Sequence, residues 1–347
     1  MKTPRVAFTF GNIASSGDRA ATARSPTASI PGLFLVPFGA LALIATAAPR
    51  ADAQIAGEPR DPAAISSALR AARDAPAPAY RLRVDCAGDR GVRSVEVFPS
   101  GVAIWDLRTQ VALPEATRRA LVRQLDEGGF AALEPRYGGK PEKDDRDGEP
   151  AAALRVVCRV ELELETLRAS SIQLADGEQS AALAELANAL LDSVAPLARE
   201  GVRADSLEQG LQKLSSGELR PEGFELRFVE LPRRDAEISG SILHVAHRTA
   251  TRRTYAPGAE LGSPASVDLE DGSFRALIGA IAAADLSSLP VNLWAEDQLE
   301  LEVRVLGHGR SVYARPFSRL APGTHGEAQQ RFDRLIETLR ALRARTP

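Results

Sequence analysis

The sequence predicts an α+β protein of two similar units, each an antiparallel sheet with helices packed on one face. Three observations carry this expectation. Runs such as 81–86 and 224–231 alternate apolar and polar residues, the period of a half-buried strand. Segments 183–194 and 332–342 place Leu, Val, Ile and Phe at the period of an amphipathic helix. The order strands, helix, Phe/Leu-x-x-Leu, strand, helix occurs twice after residue 80.

Residues 1–53 read as a signal region. The apolar run 33–48 suits a signal core and is short for a membrane span. Pro37 interrupts it, and Ala51-Asp52-Ala53 fits the small-residue cleavage rule, so a mature chain from Gln54 is expected. An uncleaved N-terminal anchor is the alternative. Residues 54–79 read as a flexible linker: a short helix at 65–72 is stopped by Asp74-Ala-Pro-Ala-Pro78.

Residues 80–200 form the first predicted unit. Tyr80, Leu82 and Val84 alternate on a strand, Val95 and Val97 share a face of the next, and 102–106 is a third. Pro114 opens a helix with Leu121, Val122 and Leu125 on its stripe, and Gly128-Gly129 ends it. Residues 154–167 are β-rich, and Leu183 to Val194 closes the unit as a helix. Residues 201–223, punctuated by glycines and carrying Leu207, Leu211 and Leu214 on a short helix, read as a linker.

Residues 224–347 repeat the scheme. Strands at 224–231, 238–246 and 249–255 precede a helix bearing Phe274, Leu277, Ile278 and Ile281. Leu286-Ser-Ser-Leu289 stands where Phe130-Ala-Ala-Leu133 stands in the first unit. Leu299, Leu301, Val303 and Val305 are matched to Leu154, Val156, Cys158 and Val160. The halves share little identity, so two unrelated α+β units remain the alternative to duplication.

Composition narrows the function classes. The chain has formal charge −3, and without residues 1–53, which carry five Lys/Arg and two Asp, it is −6. No basic block remains to follow a phosphate backbone, so nucleic acid is not expected as a partner. No membrane insertion is expected after signal cleavage. Two cysteines, Cys86 and Cys158, each sit in a strand. In an oxidising compartment they are expected to pair across neighbouring strands, with Cα atoms about 4.4–6.8 Å apart. Two buried thiols are the alternative.

Chemistry-bearing residues are few. His244 and His247 lie three apart on a strand pattern, which turns them to opposite faces. His308 sits in a Gly-His-Gly turn, and His325 in a Gly-rich loop. His244, His308 and Asp268 are the candidate catalytic residues if the chain is an enzyme. Asp144, Asp145 and Asp147 form an acidic turn of the kind hard cations favour, but without a full calcium-loop spacing and with Lys140, Lys143 and Arg146 beside them. No serine elbow and no phosphate-binding glycine loop stands at a strand-to-helix turn. No cofactor is expected.

Gly101-Val-Ala-Ile-Trp105, Phe130-Ala-Ala-Leu133 and Tyr137 are arranged as in small uncharacterised α+β domains of exported bacterial proteins. Residues 80–198 resemble such a domain, which the second unit is expected to repeat in tandem; the resemblance implies a fold and no activity. The expected role is therefore a periplasmic or secreted, non-enzymatic protein that binds another protein or an envelope component, or scaffolds it. The alternative is a periplasmic hydrolase with its site in the cleft between the units.

Overall fold

A computed structural model describes residues 61–88, 91–138, 156–165, 167–175, 180–231, 240–255, 264–316 and 326–346. The signal region, the acidic turn at 144–147 and His325 lie outside the described residues.

The first half runs α1 (Pro62–Asp74), β1 (Arg81–Gly88), β2 (Gly91–Val97), β3 (Val102–Trp105), β4 (Thr109–Ala112), α2 (Glu115–Glu127), β5 (Arg136–Tyr137), β6 (Val156–Leu164), β7 (Leu167–Leu174), α3 (Ala181–Ala198) and β8 (Val202–Arg203). The second runs α4 (Leu207–Ser216), β9 (Phe224–Leu231), β10 (Gly240–Ala246), β11 (Thr249–Tyr255), β12 (Ala265–Asp268), α5 (Asp271–Ala284), β13 (Asn292–Trp294), β14 (Gln298–Val305), β15 (His308–Arg315) and α6 (Glu327–Arg345). This is an α+β fold with two sheets.

The strand order is β5-β7-β6-β1-β2-β3-β4-β8 in the first sheet and β12-β11-β10-β9-β14-β15-β13 in the second. Both orders follow one rule. The first long strand lies in the middle, a meander extends from one side of it, and a later hairpin packs on the other side. β8 is the single addition. Pairing is antiparallel except at one edge of each sheet, where β5 joins β7 and β13 joins β15 in parallel. The sheets are thus mixed rather than wholly antiparallel, because the chain enters each edge strand directly from the turn after α2 or α5.

Alternation buries one face of each sheet. Leu82, Val84 and Cys86 of β1 meet Leu162, Val160 and Cys158 of β6; Leu226, Phe228 and Glu230 of β9 meet Val303, Leu301 and Leu299 of β14. Leu299 therefore corresponds to Cys158 rather than to Leu154. The sequence match slips by four residues here, because the stretch of sequence between β5 and β6 exceeds that between β13 and β14 by more than the repeat pattern alone reveals. α3 and α6 lay Leu183, Leu190 and Leu191, and Phe332, Leu335 and Leu339, onto these faces.

Two stretches expected as linkers are folded where described. Asp61 caps α1 by accepting from the amides of Ala63 and Ala64, with Pro62 at the first turn. Ile65 and Leu69 then enter the first core at 1% and 0% exposure. Arg73 ties α1 to Asp126 of α2 at 3.0 Å. The proline run stops the helix as expected, but its apolar stripe is short and wholly buried, which composition alone hides. In 201–223, Ser206 caps α4, Gly217 ends it in the left-handed region (φ 80°), and Leu207, Leu211 and Leu214 enter the second core. α1 and α4 thus precede their sheets in the same way, so the repeating unit begins with a helix.

The β3–β4 turn places Asp106 and Leu107 at φ 49° and 57°. Trp105 opposes Thr109, so three residues make this turn, and its second left-handed position favours glycine. Leu107 is also 60% exposed, so it gains little burial in return. Leu107→Gly should raise stability by about 1 kcal/mol, read as a higher denaturant midpoint at constant slope; a lower midpoint would show that the leucine side chain is needed.

Candidate functional site

Helices cover one face of each sheet; the opposite face presents alternating charges. On the first sheet Arg81 pairs with Glu96 at 2.5 Å, Arg83 with Asp85 at 2.9 Å and Arg168 with Glu163 at 2.6 Å. Burial acts to lower the Arg83 pKa, but Asp85, Glu161 and Glu96 outweigh it and hold the guanidinium more firmly charged. On the second sheet Arg227 pairs with Glu300 at 2.9 Å and Arg304 with Glu302 at 2.5 Å. These are strand-period lattices of opposite charge, and partly exposed pairs of this kind add little stability.

The three candidate catalytic residues do not converge. His244 lies on the outer face of β10, its Nε2 3.0 Å from Glu225 Oε1. The hydrogen bond with His244 lowers the Glu225 pKa against the effect of burial. Asp268 ends β12 on the same face, one row along, and accepts from Thr249 Oγ1 at 2.7 Å. His308 opposes Val305, which puts it on the inner face, where its Nε2 donates to the Ala204 carbonyl at 2.8 Å. Each group has a local partner, and the sheet lies between the first two and the third.

The region between the halves is a filled joint rather than an open cleft. Both halves belong to one compact unit. β8 pairs with β4, and Gly201 lets the backbones approach: a Cβ there would lie 2.8 Å from the Gln110 carbonyl. The Gln110 side chain accepts from the Arg220 amide at 2.6 Å and donates to the Arg220 carbonyl at 3.0 Å. Phe98 and Ile104, from the outer face of the first sheet, are buried in the second half's core. Phe98 meets the His247 ring edge-on at 4.7 Å. Two histidines therefore serve the joint through backbone carbonyls: His308 on Ala204, and His247 through Nδ1 on Glu222 at 2.8 Å.

An open recess of about 410 Å³ lies between α4 and α5, floored by Leu207, Leu211, Ile281 and Leu286 and rimmed by Glu208 and Asp285. A hydrogen bond from Ser287 lowers the Glu208 pKa, and hydrogen bonds from Ser288 and Ser287 lower that of Asp285. Carboxylates held ionised in this way do not suit general-acid chemistry. Among the described residues no group of three or more His, Cys, Asp or Glu is placed to hold a metal ion.

Cys86 and Cys158 form a disulfide between directly opposed residues of β1 and β6, with Cα atoms 4.1 Å apart. The separation is slightly shorter than expected, and close to that of non-hydrogen-bonded antiparallel partners. The matching position in the second half holds Glu230 opposite Leu299. Glu230 accepts from Arg340 (2.5 Å) and from Arg343, which also reaches Ser241. None of these residues is among the candidates read from the sequence. Its signal was present: after Phe224, Leu226 and Phe228, a glutamate occupies the next inward position.

Comparison with protein families and with curated proteins finds no match to the chain.

Proposed function

We propose that the chain is an exported, non-enzymatic protein that binds another protein or an envelope component through the outer faces of its sheets. The observation that carries this reading is the separation of His244, Asp268 and His308, each engaged by its own neighbour and divided between two faces of one sheet. A hydrolase would need such groups within reach of one reacting atom. The filled joint also argues against the cleft enzyme. Alternating charges on a rigid sheet supply directional contacts without reactive groups. The Cys86–Cys158 disulfide is compatible with an oxidising compartment, which supports export.

Chemical crosslinking of the exported protein in its native envelope, followed by peptide mapping, tests the binding reading. The expected result is one recurring partner joined at outer-face positions, weakened by Arg227→Glu. Turnover in a broad hydrolase panel that disappears in His244→Ala would overturn it. N-terminal sequencing should find the exported chain starting near Gln54.

A further inference from the structure

We propose that the joint between the halves is an acid-responsive hinge, in which protonation of His247 loosens the seat of the second half on the outer face of the first sheet. The proposal concerns regulation and does not depend on which partner is bound.

His247 is held from three directions, one of them across the joint. It occupies the two-residue turn between β10 and β11 with φ 60°, a backbone conformation that non-glycine residues adopt only when neighbours hold it. Its amide donates to the Phe224 carbonyl at 2.9 Å, and Nδ1–H donates to the Glu222 carbonyl at 2.8 Å. Its ring meets Phe98, a first-half residue 4% exposed and buried in the second core.

Burial and one neighbouring cation disfavour a second proton, against two carboxylates that favour it. Arg81 of β1 lies over the same Phe98 ring, its guanidinium carbon 5.5 Å from the centroid. Glu96 of β2 faces the ring too, but it is already paired with Arg81 at 2.5 Å. Glu222 contributes its carbonyl and a more distant carboxylate. Glu225 on β9 is engaged by His244, and Arg248, the other turn residue, by Asp271 and the Leu269 carbonyl. A cation on His247 would therefore sit beside an arginine and against an apolar ring. Burial first, and the Arg81 charge second, hold its pKa below the ordinary histidine value.

The sign follows from that direction. Above about pH 6.5 the ring is neutral whether the joint is closed or open, and the closed form has its full advantage. As pH falls below that value, an opened joint takes up the proton while the closed one resists. The closed form loses ground until pH reaches the lowered pKa of the closed state. The Nδ1–H bond to Glu222 survives protonation, so the change acts through charge rather than through a lost hydrogen bond.

Hydrogen–deuterium exchange on the intact chain at pH 7.5 and 5.5, corrected for intrinsic rates, tests this. The reporter is the Arg220 amide, bonded across the joint to Gln110; the control amides are those of Val84 and Phe228 in the central strands. Protection at Arg220 should fall several-fold at pH 5.5 while the controls hold. His247→Asn keeps a donor for Glu222 and tolerates the left-handed backbone, and should abolish the fall. His308→Gln should retain it. A flat wild-type profile, a fall that persists in His247→Asn, or one abolished only by His308→Gln overturns the proposal. If His247→Asn opens the joint even at pH 7.5, an NMR titration of the wild-type ring decides. A midpoint below that of free histidine, tracking the loss of protection, supports the hinge; a midpoint at or above it overturns the hinge.

Discussion

Reducing the Cys86–Cys158 bond should lower the stability of the folded chain by about 4 kcal/mol. The cysteines are 72 residues apart, so the bond removes a large loop-closure freedom from the unfolded chain. It also joins β1, a central strand, to the hairpin that returns to it after α2. Both residues are buried, at 4% and 2% exposure, so the sulfurs contribute to the first core as well. The check is guanidinium unfolding with and without reductant, alongside the Cys86→Ala/Cys158→Ala chain. The reduced protein and the double alanine variant should unfold at similar, lower midpoints. A loss under about 1 kcal/mol would mean that the unfolded chain is already held compact near these strands.

Glu230→Ala should cost about 2–3 kcal/mol, somewhat less than the loss of one partner from a fully buried pair. Glu230 is 9% exposed and receives Arg340 and Arg343 from α6, with Ser241 completing the group. Removing the carboxylate leaves two guanidinium groups facing an apolar wall. Arg340 is 44% exposed and can turn to water, which is why the cost is set below that of a sealed pair. Adding Arg340→Met and Arg343→Met to Glu230→Leu should recover most of the loss, because the site then packs as an ordinary core. A Glu230→Ala midpoint equal to wild type would show that the network is ornamental. Glu230→Cys with Leu299→Cys offers an independent check of the match between halves: these directly opposed residues should oxidise to a second crosslink.

Much of the fold was legible because each half buries one face. The alternation in 81–86 and 224–231 placed both central strands, and the stripe from Leu183 to Val194 placed α3. What escaped was either too short or too dependent on distant partners. β8 is two residues long and exists because β4 offers it an edge. α1 looked like linker because its stripe is two residues, Ile65 and Leu69, whose value lies in the core they meet. The cysteine pairing was readable because both residues lay on inward strand positions in a chain with no other cysteine. Among the candidate site residues, pattern put His244 on a strand, where it lies, but read His308 as a turn residue although it begins β15, and His247 as a strand residue although it lies in the β10–β11 turn. The engagement of His308 with Ala204 depends on how the second sheet meets the segment after β8, and that of His247 with Glu222 on how the stretch before β9 meets the β10–β11 turn; periodicity encodes neither.

That docking also limits how far the repeat can grow. The second half sits on Phe98, Ile104 and Gln110 of the first sheet's outer face. By strand pairing, the same places on its own sheet are held by Ala246, Thr251 and Ser266. There the apolar ring and the branched side chain have become a methyl and a hydroxyl, and the amide a second hydroxyl. Thr251 and Ser266 bond to each other at 3.1 Å instead of reaching outward. A third copy would find neither the apolar ring nor the amide that seat the second half on the first. Repeat arrays end in members whose outer face is polar in this way. At these places the second half has the outer face of a capping member.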